Sequence, residues 1–154
     1  MTTQEKQNKS VMGTYGRFPV VLEQGNGECC TDETGMSYID FGSGIGTSSL
    51  GYCNETWADA VCTQARKIQH TSNLYYNAPQ ADVAENLCER TGYSKVFFGN
   101  SGAEANECAI KLARKYSFDK YGKGRHNIIT LVNSFHGRTL TTLSATGQDV
   151  FHNY

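Results

Sequence analysis

The stretch Gly99–Ala103 places small residues at the start of a well-patterned helix. Ser101 and Glu104 have the spacing of a capping box, in which the serine hydroxyl and the glutamate carboxylate each satisfy one backbone amide. The amides of Gly102 and Ala103 are then left over, and neither residue has a side chain that could cover them. Amides at the positive end of a helix dipole suit a phosphate. The pattern predicts an anion cradle, with an ordinary capped helix as the alternative.

Two other phosphate-binding patterns fit less well. The stretch Gly99–Ala103 lacks the Gly-Lys-Ser/Thr of a P-loop and does not read G-x-G-x-x-G. The stretch Gly42–Thr47, GSGIGT, looks like a dinucleotide-binding loop, but its third glycine comes one residue early. The residues after it, Ser48–Gly51, are a poor helix start. We therefore expect the phosphate site at the first stretch.

A second cluster, Asn133–Thr139, follows directly after an apolar run that ends at Val132. The ring of Phe135 offers a flat face for another ring, and Arg138 offers a bidentate clamp for a carboxylate. Core packing for Phe135 and a solvated surface charge for Arg138 are the alternatives. Together with the cradle, the cluster would suit a phosphorylated aromatic cofactor and a carboxylate substrate.

The second half of the chain predicts the elements that would bring these clusters together. Ser94–Phe98 and Asn127–Val132 have the composition of buried strands, and the segment Gly102–Tyr121 between them has helical periodicity, with Gly122 as its stop. Within that helix, Ala105, Ala109, Leu112 and Tyr116 form a stripe that we expect to be buried. Strand, helix and strand form a βαβ unit of a parallel sheet, and ligands collect at the carboxyl ends of such strands.

The first half predicts a small antiparallel meander followed by helices. The predicted strands are Phe18–Glu23, Glu28–Thr31 and Ser37–Phe41, joined by turns at residues 24–27 and 32–35. Asn54 is the predicted cap of one helix, and Pro79–Arg90 is predicted to be another, with Gly92 as its stop. The fold class is therefore α/β, with an antiparallel piece in front.

Composition excludes several classes of partner. The 154 residues carry a formal net charge of −1 without a basic tract or an acidic tail, so neither nucleic acid nor a membrane surface is an expected partner. No apolar stretch approaches the roughly 20 residues of a membrane span. The polar stretch Met1–Ser10 is unlike a secretory signal, which favours a cytoplasmic location.

The six cysteines include no C-x-x-C pair. We expect reduced, buried thiols and no metal site, with zinc or a disulfide as the alternative.

Three stretches together resemble the class III pyridoxal-phosphate aminotransferases: YGRFPVVLEQGNG, FFGNSGAEANECAIKLARKY and SFHGRTLTTLSATGQ. The segment Thr14–Pro19 looks most like the acetylornithine aminotransferase branch, and the resemblance runs from about Val11 to the last residue. It implies a fold-type I enzyme, usually a homodimer, that uses pyridoxal 5'-phosphate. The implied reaction moves an amino group from an (acetyl)ornithine-like amino acid to a 2-oxo acid.

The resemblance also implies roles for six residues. Gly102 and Ala103 would hold the cofactor phosphate, with Ser101 beside them. Phe135 would stack on the pyridine ring. Arg138 would pair with the substrate α-carboxylate, and Tyr15 would lie near the distal end of the substrate.

By resemblance, residues 1–54 belong to the small domain, residues 55–78 form a connection, and residues 79–154 begin the large cofactor-binding domain. The family's Schiff-base lysine, and the aspartate that pairs with the pyridine nitrogen, come later than residue 154. No lysine in the second half of this chain has a matching context, so we expect no catalytic residue here and no activity from these residues alone. The alternatives are a non-catalytic phosphate-ligand-binding or interaction module, and a sister enzyme acting on ornithine or 4-aminobutyrate.

Overall fold

The computed structural model describes residues 1–153. The chain divides into two compact units, the first spanning Met1–Tyr75 and the second beginning at Tyr76. In the described residues, no helix is long and apolar enough to cross a membrane. Helices occur in both units and a β-sheet in the first, so the chain is of the mixed α/β class, as predicted.

The first unit begins with a helix that we did not predict, α1 (Thr3–Ser10). The Thr2 hydroxyl accepts a hydrogen bond from the Glu5 N–H at 3.1 Å, and the Thr2 N–H donates to the Glu5 carboxylate at 2.7 Å. This is a complete capping box. The T-x-x-E spacing was the missed signal, and it stabilises a helix that buries none of its own residues.

Three antiparallel strands follow in the order β1 (Leu22–Asn26), β2 (Cys29–Asp32) and β3 (Ser37–Ile39). The predicted meander is confirmed, but the predicted bounds of its first strand and turn are wrong. Asn26 pairs with Cys29, which leaves the tight turn at Gly27-Glu28, where Gly27 has a φ of 55°. Strand β1 also starts later than predicted. Pro19, which has no N–H to donate, fits poorly into a strand ladder at the predicted start.

Two tyrosine–aspartate pairs hold the connections of the first unit. Tyr38 Oη donates to the Asp32 carboxylate and Tyr52 Oη donates to the Asp40 carboxylate, each at 2.7 Å. The Tyr52 ring packs directly over Gly25, where a Cβ would come within 2.5 Å of the ring. Gly25 is therefore required by the close approach of an aromatic ring. The Tyr52 ring thus binds the long connection after β3 back onto β1.

The glycine-rich connection contains a short turn, α2 (Ser43–Gly46), built from left-handed residues. Ser43, Gly44, Ile45 and Gly46 all have positive φ, between 46° and 77°. The β-branched Ile45 is an outlier there, because its Cβ crowds the backbone in this region. A left-handed turn does not present the amides of an α-helix N-terminus, so the segment lacks the geometry of a dinucleotide-binding loop.

Two capped helices confirm the prediction for the middle of the chain. Helix α3 (Glu55–Lys67) begins at Asn54, whose side chain accepts from the Trp57 N–H at 3.0 Å. Helix α4 (Ala78–Thr91) begins one residue earlier than predicted and ends one residue later. It stops at Gly92, which takes the left-handed conformation with a φ of 75°.

The second unit is organised around α5 (Gly102–Tyr121), which has the predicted bounds and ends at Gly122. A short helix, α6 (Leu140–Ala145), and a 3₁₀ turn (Asp149–Phe151) follow and were not predicted. The predicted strands Ser94–Phe98 and Asn127–Val132 form no β-ladder within residues 1–153. A strand requires a hydrogen-bonded neighbour, and these two segments do not pair with each other.

Few of the described residues are buried, and the stripe of α5 that we expected to be buried is not. All four of its residues, Ala105, Ala109, Leu112 and Tyr116, are exposed. The face of α5 that is partly covered instead follows Ala103, Asn106, Glu107 and Ile110. A helix buries the face that meets a neighbour, and in the described residues that neighbour is the chain after residue 133.

All six cysteines are free thiols, but the predicted burial is wrong for most of them. Cys30 is buried, whereas Cys53 and Cys62 are exposed. No group of three or more His, Cys, Asp or Glu side chains within residues 1–153 is placed to hold a metal ion.

We expect the stability of the fold to decrease at acid pH through Asp32. Hydrogen bonds from Thr34, and then from Tyr38, lower the pKa of this carboxyl from 3.8 to about 2. A depressed folded-state pKa stabilises the fold above pH 3.8, and this contribution is lost as the pH falls towards 2. Thermal midpoints measured from pH 5 to pH 2 should therefore fall less steeply for Asp32→Asn than for the parent. The control Asp59→Asn should keep the parent's slope; an Asp32→Asn slope equal to the parent's would contradict the assignment.

Candidate active site

The side chains of Ser101 and Glu104 cap the start of α5. Ser101 Oγ accepts from the Glu104 N–H at 3.2 Å, as predicted. The Glu104 carboxylate accepts from the Asn100 N–H at 2.5 Å and from the Ser101 hydroxyl at 3.5 Å. Hydrogen bonds from Asn100, first from its side chain and then from its backbone, lower the pKa of Glu104. The hydrogen bonds of Glu104 thus reach back to Asn100, one residue before the N-cap. They hold the ionised Glu104 carboxylate beside the start of the helix.

The backbone amides of Gly102 and Ala103 are the open part of this helix start. Within residues 1–153 neither N–H donates a hydrogen bond. A Cβ added at Gly102 would meet nothing within 4 Å, so the space beside this residue is open. Because α5 has 20 residues, its aligned peptide dipoles place partial positive charge at these amides. The geometry fits one phosphate group.

The loop after Val132 lies directly against the same turn of α5. Gly137 contacts Ala103 so closely that a Cβ at Gly137 would fall 2.6 Å from the Ala103 Cβ. Asn106 Nδ2 donates to the His136 carbonyl at 2.8 Å, and Thr139 Oγ1 donates to the Glu107 carboxylate at 2.5 Å. The two sequence clusters, about thirty residues apart, are therefore joined in one place.

Two buried threonines fix the shape of this loop. Thr142 and Thr146 are 0% and 1% exposed. Thr142 Oγ1 accepts from the Thr139 N–H at 3.1 Å, and Thr146 Oγ1 accepts from the His136 N–H at 3.0 Å. Sequence reasoning missed both residues, together with Asn106. The available signal was the spacing of Thr139 and Thr142, which form the capping box of α6.

Phe135 and Arg138 lie together in this loop. The Arg138 guanidinium carbon is 5.2 Å from the centroid of the Phe135 ring, within range of a cation–π contact. The Phe135 ring is tilted by 53° against Phe151 at 6.2 Å and remains 51% exposed. Part of the ring is therefore available to a ligand. Among the described residues Phe135 is thus about half covered, and Arg138 has an aromatic partner.

The remaining predicted residue, Tyr15, belongs to the first unit, where its side chain is 60% exposed. Its predicted place near a substrate stays a prediction.

In the second unit, His136 Nε2 is buried and has no hydrogen-bond partner within residues 1–153. Sequence reasoning placed this histidine in the cluster without a role.

The second unit thus combines a phosphate-sized set of amides, an aromatic face and a guanidinium. Five of the six predicted site residues contribute to it: Ser101, Gly102, Ala103, Phe135 and Arg138. Amides and a dipole can bind a phosphate, a ring face can stack on a heteroaromatic ring, and a guanidinium can pair with a carboxylate. These residues fit pyridoxal 5'-phosphate, which has both a phosphate and a pyridine ring.

The comparisons with known proteins agree on one family. Residues 11–153 match the model of the family described as aminotransferase class-III. The acetylornithine aminotransferase of Haemophilus ducreyi is 55% identical over 141 residues, which are 92% of this chain and 36% of that protein. That of Caldanaerobacter subterraneus subsp. tengcongensis is 50% identical over 152 residues, or 99% of this chain and 38% of that protein.

A solved structure shares the fold of the chain. The ornithine aminotransferase of Toxoplasma gondii, crystallised with oxidised glutathione and holding PLP at partial occupancy in its active site, superposes with a TM-score of 0.89 at 29% identity. The match covers 97% of this chain and 36% of that one. The chain therefore spans little more than a third of the length of the relatives it matches.

We expect Gly137→Ala to separate the loop from α5. Gly137 has a φ of 128°, and the added methyl would overlap Ala103 and the Thr142 hydroxyl. Overpacking and backbone strain together should cost about 2–4 kcal/mol in the free energy of unfolding, measured by urea titration. Gly124→Ala is the matched control: its φ is 99°, but a Cβ there meets nothing within 4 Å, so it should cost about 1–2 kcal/mol from strain alone. Equal losses would show that the contact with Ala103 is not tightly packed.

Proposed function

Because this chain belongs to the class III aminotransferase family, we propose that the protein carrying it transfers an amino group from an amino acid to a 2-oxo acid with pyridoxal 5'-phosphate as its cofactor. The observation that carries this proposal is the contact of Gly137 with Ala103. It places the open amides of α5 beside the loop that bears Phe135 and Arg138. The phosphate and the ring face of the cofactor then each have a matching group.

The residues of this chain would bind and orient the cofactor. The Gly102 and Ala103 amides would donate to its phosphate, and the Ser101 hydroxyl lies beside them at the N-cap. The half-exposed ring of Phe135 would stack on its pyridine ring. When bound, pyridoxal phosphate supplies an electron sink for negative charge that develops on the amino acid. The chain's own contribution is to fix the position and tilt of that ring relative to the substrate.

Arg138 would select the substrate by its α-carboxylate. Its guanidinium lies over Phe135, so a carboxylate bound to Arg138 would lie next to whatever stacks on that ring. A planar fork of donors fits a carboxylate bidentately, which fixes the orientation of the substrate as well as its affinity. The arrangement favours α-amino acids over amines that lack a carboxylate.

We propose acetylornithine, or a closely similar ω-substituted amino acid, as the amino donor. The proposal is supported by the 55% and 50% identity to two enzymes named acetylornithine aminotransferase. Ornithine is the second candidate, because the structural relative from Toxoplasma gondii is named for it. Tyr15 would contact the distal part of the substrate, where the two candidates differ by an acetyl group.

Three further points belong to this proposal. The protein would act as a homodimer, and residues 1–54, 55–78 and 79–154 would form the small-domain segment, the connection and the start of the large domain. The covalent lysine would be contributed from outside these residues. Support comes from the relatives, of which the chain spans about a third, and from the unpaired segments Ser94–Phe98 and Asn127–Val132.

Ala103→Asp tests the phosphate cradle. A carboxylate at this position should repel the cofactor phosphate, although a negative charge suits the N-terminus of an empty helix. The dissociation constant of pyridoxal phosphate, measured by fluorescence titration of the complete protein, should therefore rise. The thermal midpoint without cofactor should reflect both this favourable charge and the crowding of the larger side chain against Gly137. Ala113→Asp, further along the exposed surface of the same helix, should leave the affinity unchanged. An Ala103→Asp protein that unfolds more easily but binds the cofactor normally would make Gly102 and Ala103 structural residues only.

Arg138→Ala tests the carboxylate clamp. Loss of a charge partner should lower kcat/KM for the amino acid by about 2–5 kcal/mol in transition-state free energy. The affinity for pyridoxal phosphate should change far less, because the phosphate and ring are bound by other residues. Arg90→Ala, in the last turn of α4, is the control and should leave both values unchanged. Equal damage to kcat/KM and to cofactor affinity would contradict a role for Arg138 in substrate binding.

A further inference from the structure

A second concentration of charge lies at the opposite end of α5. The last turns of this helix and the loop that follows enclose a cavity of about 460 Å³, here called the basic pocket. Its side-chain lining comprises Arg114, Lys115, Phe118, Lys123, Arg125 and His126. The volume lies within the range of pockets that bind small molecules, roughly 300–1,000 Å³.

The charge of this region differs in sign from that of the whole chain. Residues 111–126 contain six Lys or Arg side chains and a single carboxylate, Asp119. The whole chain has 14 Lys and Arg against 15 Asp and Glu. The cations are spread through the sequence among aromatic residues, which is why no basic tract is apparent there. Folding gathers several of them around one cavity, and such a concentration of positive charge attracts anions.

The loop that closes the basic pocket is held in place by local contacts. The Gly122 N–H donates to the Phe118 carbonyl at 2.8 Å, and Ser117 Oγ donates to the Arg125 carbonyl at 2.5 Å. The Arg125 guanidinium lies 4.8 Å from the centroid of the Tyr121 ring. These contacts orient Arg125 before any ligand arrives, and an oriented side chain loses less entropy on binding.

Ion pairs do not account for three of these cations. Lys115 pairs with Asp119, but Arg114, Lys123 and Arg125 form no ion pair within residues 1–153. The negative end of the α5 dipole favours cations near the end of the helix, which accounts for Lys120 and contributes at Lys123 and Arg125. Arg114 lies earlier in the helix, and the other two lie beyond its end. Their convergence on one cavity leaves positive charge available to an external anion.

We propose that the basic pocket is a second anion site, which binds a small oligophosphate of two or more linked phosphate groups. Three unpaired cations match the charge of such an anion better than that of a single carboxylate. Guanidinium groups bind phosphate oxygens bidentately, and two of the three cations are arginines. At about 1.5 Å per residue, the 20 residues of α5 separate this site from the Gly102 and Ala103 amides by roughly 30 Å. The two sites therefore bind independently, and this inference does not rest on the proposed reaction.

Calorimetric titration with tripolyphosphate, on the complete protein saturated with pyridoxal phosphate, tests the site. We expect one binding event that the double variant Arg114→Gln/Arg125→Gln weakens by about 100-fold, roughly tenfold for each lost charge-assisted contact. The control Arg66→Gln/Arg90→Gln removes two exposed arginines elsewhere and should bind as the parent does. The single variant Lys123→Gln, outside every helix, should weaken binding about tenfold even if the double variant is unstable. Ala103→Asp blocks the cofactor cradle, so it is titrated without pyridoxal phosphate, and it should leave tripolyphosphate binding intact.

Four results would overturn the proposal. One is the absence of binding. Another is equal weakening in the pocket variants and the control, which would indicate diffuse attraction to surface charge. The third is loss of binding in Ala103→Asp, which would place the anion at the cradle. A single-stranded oligonucleotide that binds the pocket more tightly than tripolyphosphate would also contradict a small-molecule site, because it would make the ligand a nucleic acid.

Discussion

The candidate site depends on the close contact between Gly137 and Ala103. A helix N-terminus alone is a common feature and selects no particular ligand. The contact adds the loop that bears Phe135 and Arg138 to the same turn of α5, and it leaves no room for a side chain at residue 137. Hydrogen bonds from Asn106 and Thr139 fix the loop on the helix. The proposed specificity for a phosphate attached to a ring would arise from this combination.

The local features of the fold could be predicted from the sequence because neighbouring residues determine them. Asn54 and Ser101 cap their helices through hydrogen bonds to residues three positions away, and Gly92 ends α4 in a conformation that favours glycine. Helices α1 and α6 were missed although both begin with a local capping box. Their apolar periodicity is weak, and the spacing of two side chains was the only signal.

The long-range features could not be predicted in the same way. Proximity of the two clusters was expected from the edge of a parallel sheet, yet within residues 1–153 it is produced by direct hydrogen bonds between a loop and a helix. The packing of Tyr52 over Gly25 joins residues far apart in the sequence, and no local pattern signals it. Apolar periodicity identified a stripe on α5 suited to burial, but burial also needs an opposing surface.

The proposed site requires the Gly102 and Ala103 amides to bind the cofactor phosphate. The sharpest test is site-resolved hydrogen exchange of these two amides, measured by NMR on the complete protein with and without pyridoxal phosphate. We predict that the cofactor slows exchange at both amides, while the last residues of α5 keep their rates. Saturation with the cofactor without any change at Gly102 and Ala103 would contradict this assignment, because the phosphate would then be bound elsewhere.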